Sequence, residues 1–147
     1  MLSLKIHCVG ATSRNSEEQD PQEQIEKVNR YMIQKAFNVL RSGTFDLSSF
    51  EGLKDFHAFL RGHLSLEVER LHPGSIKITV KCRTLVILEC LWDNYISGHL
   101  NAEAEKCLMT KTVKDELGME TIVLATTILE KDYMACKLSL MEISGMF

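Results

Sequence analysis

The stretch Leu64–Gly98 (LSLEVERLHPGSIKITVKCRTLVILECLWDNYISG) constrains the fold more than any other part of the chain. Leu64, Leu66 and Val68 alternate with Ser65, Glu67 and Glu69. After His72-Pro73-Gly74, Ile76, Ile78, Val80 and Cys82 alternate with Lys77, Thr79 and Lys81. A period of two on both arms, interrupted by Pro-Gly, predicts a β-hairpin. From Thr84 the period becomes helical, with Leu85, Leu88, Trp92 and Tyr95 on one face and Ile87 and Leu91 beside it. Strand, turn, strand and helix in that order need a helix layer over an antiparallel sheet to bury both apolar rows.

The flanking elements complete that layer. Leu2, Leu4, Ile6 and Cys8 alternate with Ser3, Lys5 and His7, predicting a first strand. This strand begins almost at Met1, as it would in a domain cut from a longer protein. Residues 11–20 (ATSRNSEEQD) are polar and acidic and read as a solvated loop. Asp20-Pro21-Gln22-Glu23 then opens a helix, with Asp20 as N-cap and Pro21 at the first helical position. Ile25, Val28, Met32, Ala36 and Val39 form its apolar stripe, widened by Ile33, Phe37 and Leu40 and ended by Gly43. Ser48-Ser49-Phe50-Glu51 is a second capping box, opening a short helix that turns Phe50, Leu53, Phe56 and Leu60 inward and stops at Gly62.

Beyond the hairpin, Gly98 breaks the helix. A new helix near Asn101 buries Leu100, Ala104, Cys107 and Leu108, and a helical turn at Thr112–Leu117 ends on Gly118. Thr121–Ile128 is a β-branched strand, with Ile122, Leu124, Thr126 and Ile128 on one side. A last helix from about Glu130 carries Leu129, Tyr133, Cys136, Leu140 and Ile143 as its stripe. The predicted fold class is α+β: a ferredoxin-like βαββαβ arrangement. Its sheet has four antiparallel strands with helices on one face, plus an extra C-terminal helix, and residues 1–147 make one domain.

Bulk properties narrow the function. The chain is 45% hydrophobic and 25% charged, with a net charge of −3. The pI near 6.0 is unlike that of a nucleic-acid module. No apolar run reaches the ~18 residues of a membrane span, and there is no basic start followed by an apolar leader. Five cysteines, without a C-x-x-C, read as reduced core thiols on the apolar faces of their elements, which places the chain in the cytoplasm.

No P-loop, G-x-S-x-G, G-x-G-x-x-G or metal-spaced His/Cys group occurs, so neither an enzyme nor a cofactor or metal site is expected. Arg14 follows strand 1, but the loop lacks the phosphate-cradling pattern of an acylphosphatase. Cys82 and Cys90 read as core thiols rather than a redox pair, and Trp92 as core. Glu17-Glu18 and Asp115-Glu116 read as solvated surface.

The open sheet face is predicted to display Ser3, Lys5 and His7, then Ser65, Glu67 and Glu69, then Lys77, Thr79 and Lys81, then Thr121, Val123 and Ala125. The simplest hairpin register sets Glu69 opposite Lys77 and Glu67 opposite Thr79. Pro73 would then occupy a turn position that disfavours proline, so a bulge or longer loop would shift the pairing without exchanging the faces. RNA-binding modules of this topology stack bases on aromatics in the central strands, and none is present here.

From about Val39 to Leu140 the chain resembles the N-terminal domain of TRADD. The resemblance is carried by Ser42-Gly43, the hairpin with His72 and Pro73 at its tip, and the strand ending at Cys82. It continues through the Trp92/Tyr95 helix, Ser97-Gly98-His99-Leu100, the Ala104–Leu108 helix, the Thr121–Ile128 strand and the Asp132–Leu140 helix with Cys136. It implies a non-enzymatic α-β sandwich acting as an adaptor in cytosolic innate-immune or cell-death signalling. The partner it implies is the C-terminal domain of a TRAF adaptor, or another signalling protein. By position, partner-binding residues would be Ser3, Lys5, His7, His72, Lys77 and Thr79. Where the family has aromatic and aliphatic contacts, these are polar or charged. Nucleic-acid binding and membrane insertion are not expected. The competing expectation is a ferredoxin-like regulatory or small-ligand-binding domain that dimerises through its sheet.

Overall fold

The computed structural model describes residues 2–15, 20–40, 50–72 and 76–143. The order of elements is β1 (Leu2–Ser13), α1 (Pro21–Leu40), α2 (Glu51–Gly62), β2 (Glu67–His72) and β3 (Ile76–Lys81), followed by α3 (Leu85–Ile96), α4 (His99–Leu108), α5 (Lys111–Leu117), β4 (Met119–Thr127) and α6 (Glu130–Ile143). The strands pair antiparallel in the order β2-β3-β1-β4, which is the ferredoxin-like topology with a C-terminal helix added.

The helix starts follow local chemistry. The Asp20 carboxylate accepts from the Gln22 N–H at 3.1 Å. The Thr84 hydroxyl accepts from Ile87 N–H at 3.2 Å and that of Thr110 from Val113 N–H at 3.3 Å. Each bond satisfies a first-turn donor that the helix itself leaves unpaired. Gly98 and Gly118 adopt left-handed backbone, with φ 85° and 68°. The break at Gly98 places the start of α4 at His99, ahead of Asn101. Phe50 occupies the N-cap position of α2, while Ser42, Gly43, Ser48, Ser49, Pro73 and Gly74 lie outside the described residues.

One apolar core joins the sheet to the helices. Leu2, Leu4, Ile6 and Cys8 of β1, Ile76, Ile78 and Val80 of β3, and Ile122 and Leu124 of β4 are buried. They meet Val28, Met32, Ala36 and Val39 of α1, Phe56 and Leu60 of α2, Leu88 and Leu91 of α3, and Leu100 and Leu108 of α4. Two asparagines tie helices to the sheet through backbone groups of the strands. The Asn29 side chain accepts from Cys8 N–H at 2.7 Å and donates to the Cys8 carbonyl at 3.3 Å, bridging α1 to β1 beside a bulge at Val9. Losing both bonds would leave two backbone groups unpaired, each worth about 1–3 kcal/mol when buried. Asn101 similarly accepts from the buried Thr126 hydroxyl and donates to the Leu124 carbonyl, both at 2.9 Å, tying α4 to β4.

Five local expectations are corrected. Strand β1 continues to Ser13, because Gly10, Ala11 and Thr12 pair with Val123, Ile122 and Thr121, so the loop starts later than residue 11. Strand β2 starts at Glu67, since Ser65 takes a left-handed backbone (φ 57°) and the Leu66 N–H is held by the Leu60 carbonyl at 3.0 Å. Leu64 and Leu66 are therefore core residues of a turn, not of a strand. Ile33 and Phe37 do not widen the buried stripe of α1. They are 36% and 52% exposed, because α1 rests on β1 along the Val28–Met32–Ala36–Val39 line. Leu129, placed on the stripe of α6, is 51% exposed just before that helix begins. Cys90 is exposed on α3 rather than in the core, and all five thiols are free.

Candidate functional site

The open face of the sheet gathers all six residues expected to bind a partner. Ser3 faces Thr79 and Lys5 faces Lys77 across β1 and β3, while His72 faces Lys77 across β2 and β3. His7 lies one pair further along β1, opposite Ala125 of β4. The His72 Nε2 and the Thr79 hydroxyl are 2.8 Å apart and hydrogen-bonded. Outward alternation along a pleated strand places these side chains on one surface, opposite the buried rows. His72 sits on the last residue of β2 rather than in a loop.

The register of β2 changes the charge of this surface. A bulge leaves Glu69 without a partner on β3, so that Val68 faces Val80, Arg70 faces Thr79 and Leu71 faces Ile78. Glu67 faces Lys81. The pairing of Glu69 with Lys77 and of Glu67 with Thr79 is thus replaced, and a cation, Arg70, stands where Glu67 was expected. At the edge of the sheet, Glu67 forms an ion pair with Arg83. Glu67 and Glu69 line the same shallow depression as Arg61 and Arg83. Among the described residues, Lys5, Arg70, Lys77 and Lys81 make no ion pair.

Sequence reasoning missed Arg70. Its signal was the spacing of three between Val68 and Leu71, both inward, which only an extra residue can produce in a strand.

His72 registers this environment. Burial, then the positive charges of Lys77 and Arg70, hold its imidazole below the ordinary value of 6.5. Above pH 6.5 the histidine is neutral in both folded and unfolded chains and has no effect. As pH falls below that value the unfolded chain takes up the proton first, so stability is lost as pH falls through the folded-state pKa. Urea midpoints measured at about pH 7.5 and about pH 5.5 should therefore fall further for the wild type than for His72→Gln. An equal fall in both proteins would refute the assignment. His57 shifts the same way, through burial and Arg61, and is common to both proteins.

Other chemically suggestive residues are engaged elsewhere. Arg14 pairs with Asp115 at 2.6 Å, and its N–H donates to the Gly118 carbonyl at 3.0 Å. Trp92 stacks on Tyr133 with centroids 4.2 Å apart. Burial, then Cys136, pushes the Cys82 thiol up to about 12, far from thiolate reactivity. Among the described residues, no group of His, Cys, Asp and Glu could hold a metal ion, and no helix is long and apolar enough to cross a membrane.

No family model, curated protein or solved structure matches the chain.

Proposed function

We propose that this chain is a non-enzymatic protein-interaction domain that docks its partner on the open sheet face. The observation carrying this reading is the Lys5–Lys77 pair. Two like charges stand directly opposite each other on adjacent strands, with no carboxylate paired to either among the described residues. Such a pair destabilises a sheet by roughly 0.2–1 kcal/mol. A binding surface accounts for a cost that folding alone does not require.

The TRADD-N-like assignment, with a cytosolic adaptor role in innate-immune or cell-death signalling, belongs to this proposal and rests on the sequence resemblance. A TRAF-family C-terminal domain or another signalling protein is the partner it suggests. Dimerisation face to face through the same sheet is disfavoured, because it would bring two such cationic patches together.

Affinity capture from cytosol with two variants tests the docking surface. Lys5→Glu/Lys77→Glu reverses its charge, and Ala125→Tyr adds bulk on the same face without changing charge. Loss of the wild-type partner set with Ala125→Tyr is the expected outcome. Identical partner sets for the wild type and both variants would sink the open face as the binding surface.

A further inference from the structure

We infer that the partner segment received by the open face is acidic, held through its carboxylates by Lys5, Lys77 and Arg70. This rests on the docking role proposed for that face and specifies its chemistry. The three cations lie on three adjacent strands, β1, β3 and β2, with Lys5 opposite Lys77 and Arg70 opposite Thr79. Neighbouring strands are about 4.8 Å apart, so one extended segment crossing them can reach all three. Lys81, further along β3, faces Glu67 and stands outside the patch.

Counterions are not scarce in this protein, which carries 20 Asp and Glu against 17 Lys and Arg. The nearest carboxylates are not paired with these three cations among the described residues: Glu67 forms its ion pair with Arg83, and the bulge leaves Glu69 with no residue opposite it on β3. Three cations without an ion pair among the described residues are complementary to carboxylates supplied from outside.

The same face has an apolar end. Val123 is 48% exposed and Val9, on the bulge beside Gly10, is 47% exposed. Charge steers and orients a partner, whereas apolar burial supplies much of the energy that holds it. A segment with carboxylates at one end and an aliphatic side chain at the other matches both parts. Nucleic acid is the other polyanion to consider. Single-strand binders add aromatic platforms to their basic grooves, and the described residues of this face include no aromatic ring beyond the two histidines.

The test uses fluorescence anisotropy with two labelled peptides of about eight residues, enough to cross the sheet. One is glutamate-rich with a terminal leucine; the other has lysine at every glutamate. The wild type should bind the acidic peptide in preference, with affinity falling as salt is raised. Lys5→Glu/Lys77→Glu should weaken that binding by about tenfold or more and prefer the lysine peptide. Lys5→Gln/Lys77→Gln should fall between them, and circular dichroism checks that each variant is folded.

No preference of the wild type between the peptides, including binding of neither, overturns the inference. So does unchanged acidic binding by the reversed variant, or preferential capture of a single-stranded oligonucleotide through the same lysines. If the cytosolic partner is lost with Ala125→Tyr but kept by Lys5→Glu/Lys77→Glu, the docking surface stands and its acidic specificity falls. If both variants keep it, the docking surface itself falls.

Discussion

Gly52→Ala is expected to lower the free energy of unfolding by about 3 kcal/mol, read as a lower urea midpoint at an unchanged denaturant slope. Gly52 lies in the first turn of α2, where the helix crosses the end of α4. A Cβ there would stand 2.5 Å from the Cys107 carbonyl oxygen and 3.1 Å from the Leu108 Cα. Both are backbone atoms, so no rotamer change relieves the clash and the helices must separate. Separation would loosen Leu53, Phe56 and Leu60, all buried under α4 and the sheet. In an open helix the same substitution would instead stabilise, by about 1 kcal/mol through backbone entropy. Gly62, at the far end of α2, supplies the control. A Cβ there meets nothing within 4 Å, so Gly62→Ala should be neutral or slightly stabilising. Equal midpoints for Gly52→Ala and the wild type would refute the close crossing.

The second large effect concerns the attachment of α6. Tyr133 is 6% exposed and stacks on Trp92 of α3 with the rings 9° from parallel. Its hydroxyl donates to the Glu89 carboxylate at 2.7 Å, and Lys137 reaches both groups at 3.4 Å. Tyr133→Ala should cost about 3–5 kcal/mol, because it removes a buried ring and leaves a void against Trp92. Tyr133→Phe keeps the stack and loses the hydroxyl bond, for about 1 kcal/mol. Trp92 is the chain's only tryptophan, so its emission reports the contact directly. A shift to longer wavelength in Tyr133→Ala, with little change in Tyr133→Phe, is the expected signature. Unaltered emission in Tyr133→Ala would mean that the ring does not hold α6 on α3.

Much of this architecture was legible before any coordinates. Alternation in β1 and β3, the caps at Asp20 and Thr84, and the breaks at Gly98 and Gly118 act over a few residues and need no distant partner. The order of elements then leaves few sheet topologies open, since crossover connections and a hairpin restrict which strands can be neighbours. Five of the six candidate residues, on β1 and β3, were also legible as one surface, because their side depends only on strand parity and the position of the core; His72 joins them through the bulge in β2.

Other features lay outside any short window. Ile33 and Phe37 read as part of the α1 stripe, and only the placement of α1 on β1 left them in solvent. The closeness of Gly52 to Cys107 joins positions that no local pattern connects. The position of Arg70 beside the lysines likewise depended on the register of β2.

The sequence by itself determined that β2 carries Glu67, Glu69 and Arg70 beside the lysines of β3. Tertiary structure alone decided which of them meet. One extra residue at Glu69 advances the pairing, sets Arg70 opposite Thr79 and leaves Glu67 to Arg83, itself outside the strands. Side-chain facing is a local property of the pleat. Ion pairing depends on register, which the whole sheet sets through burial of Val68 and Leu71 on the same inner side. That difference adds Arg70 to the lysines of the open face, while Glu67 remains opposite Lys81.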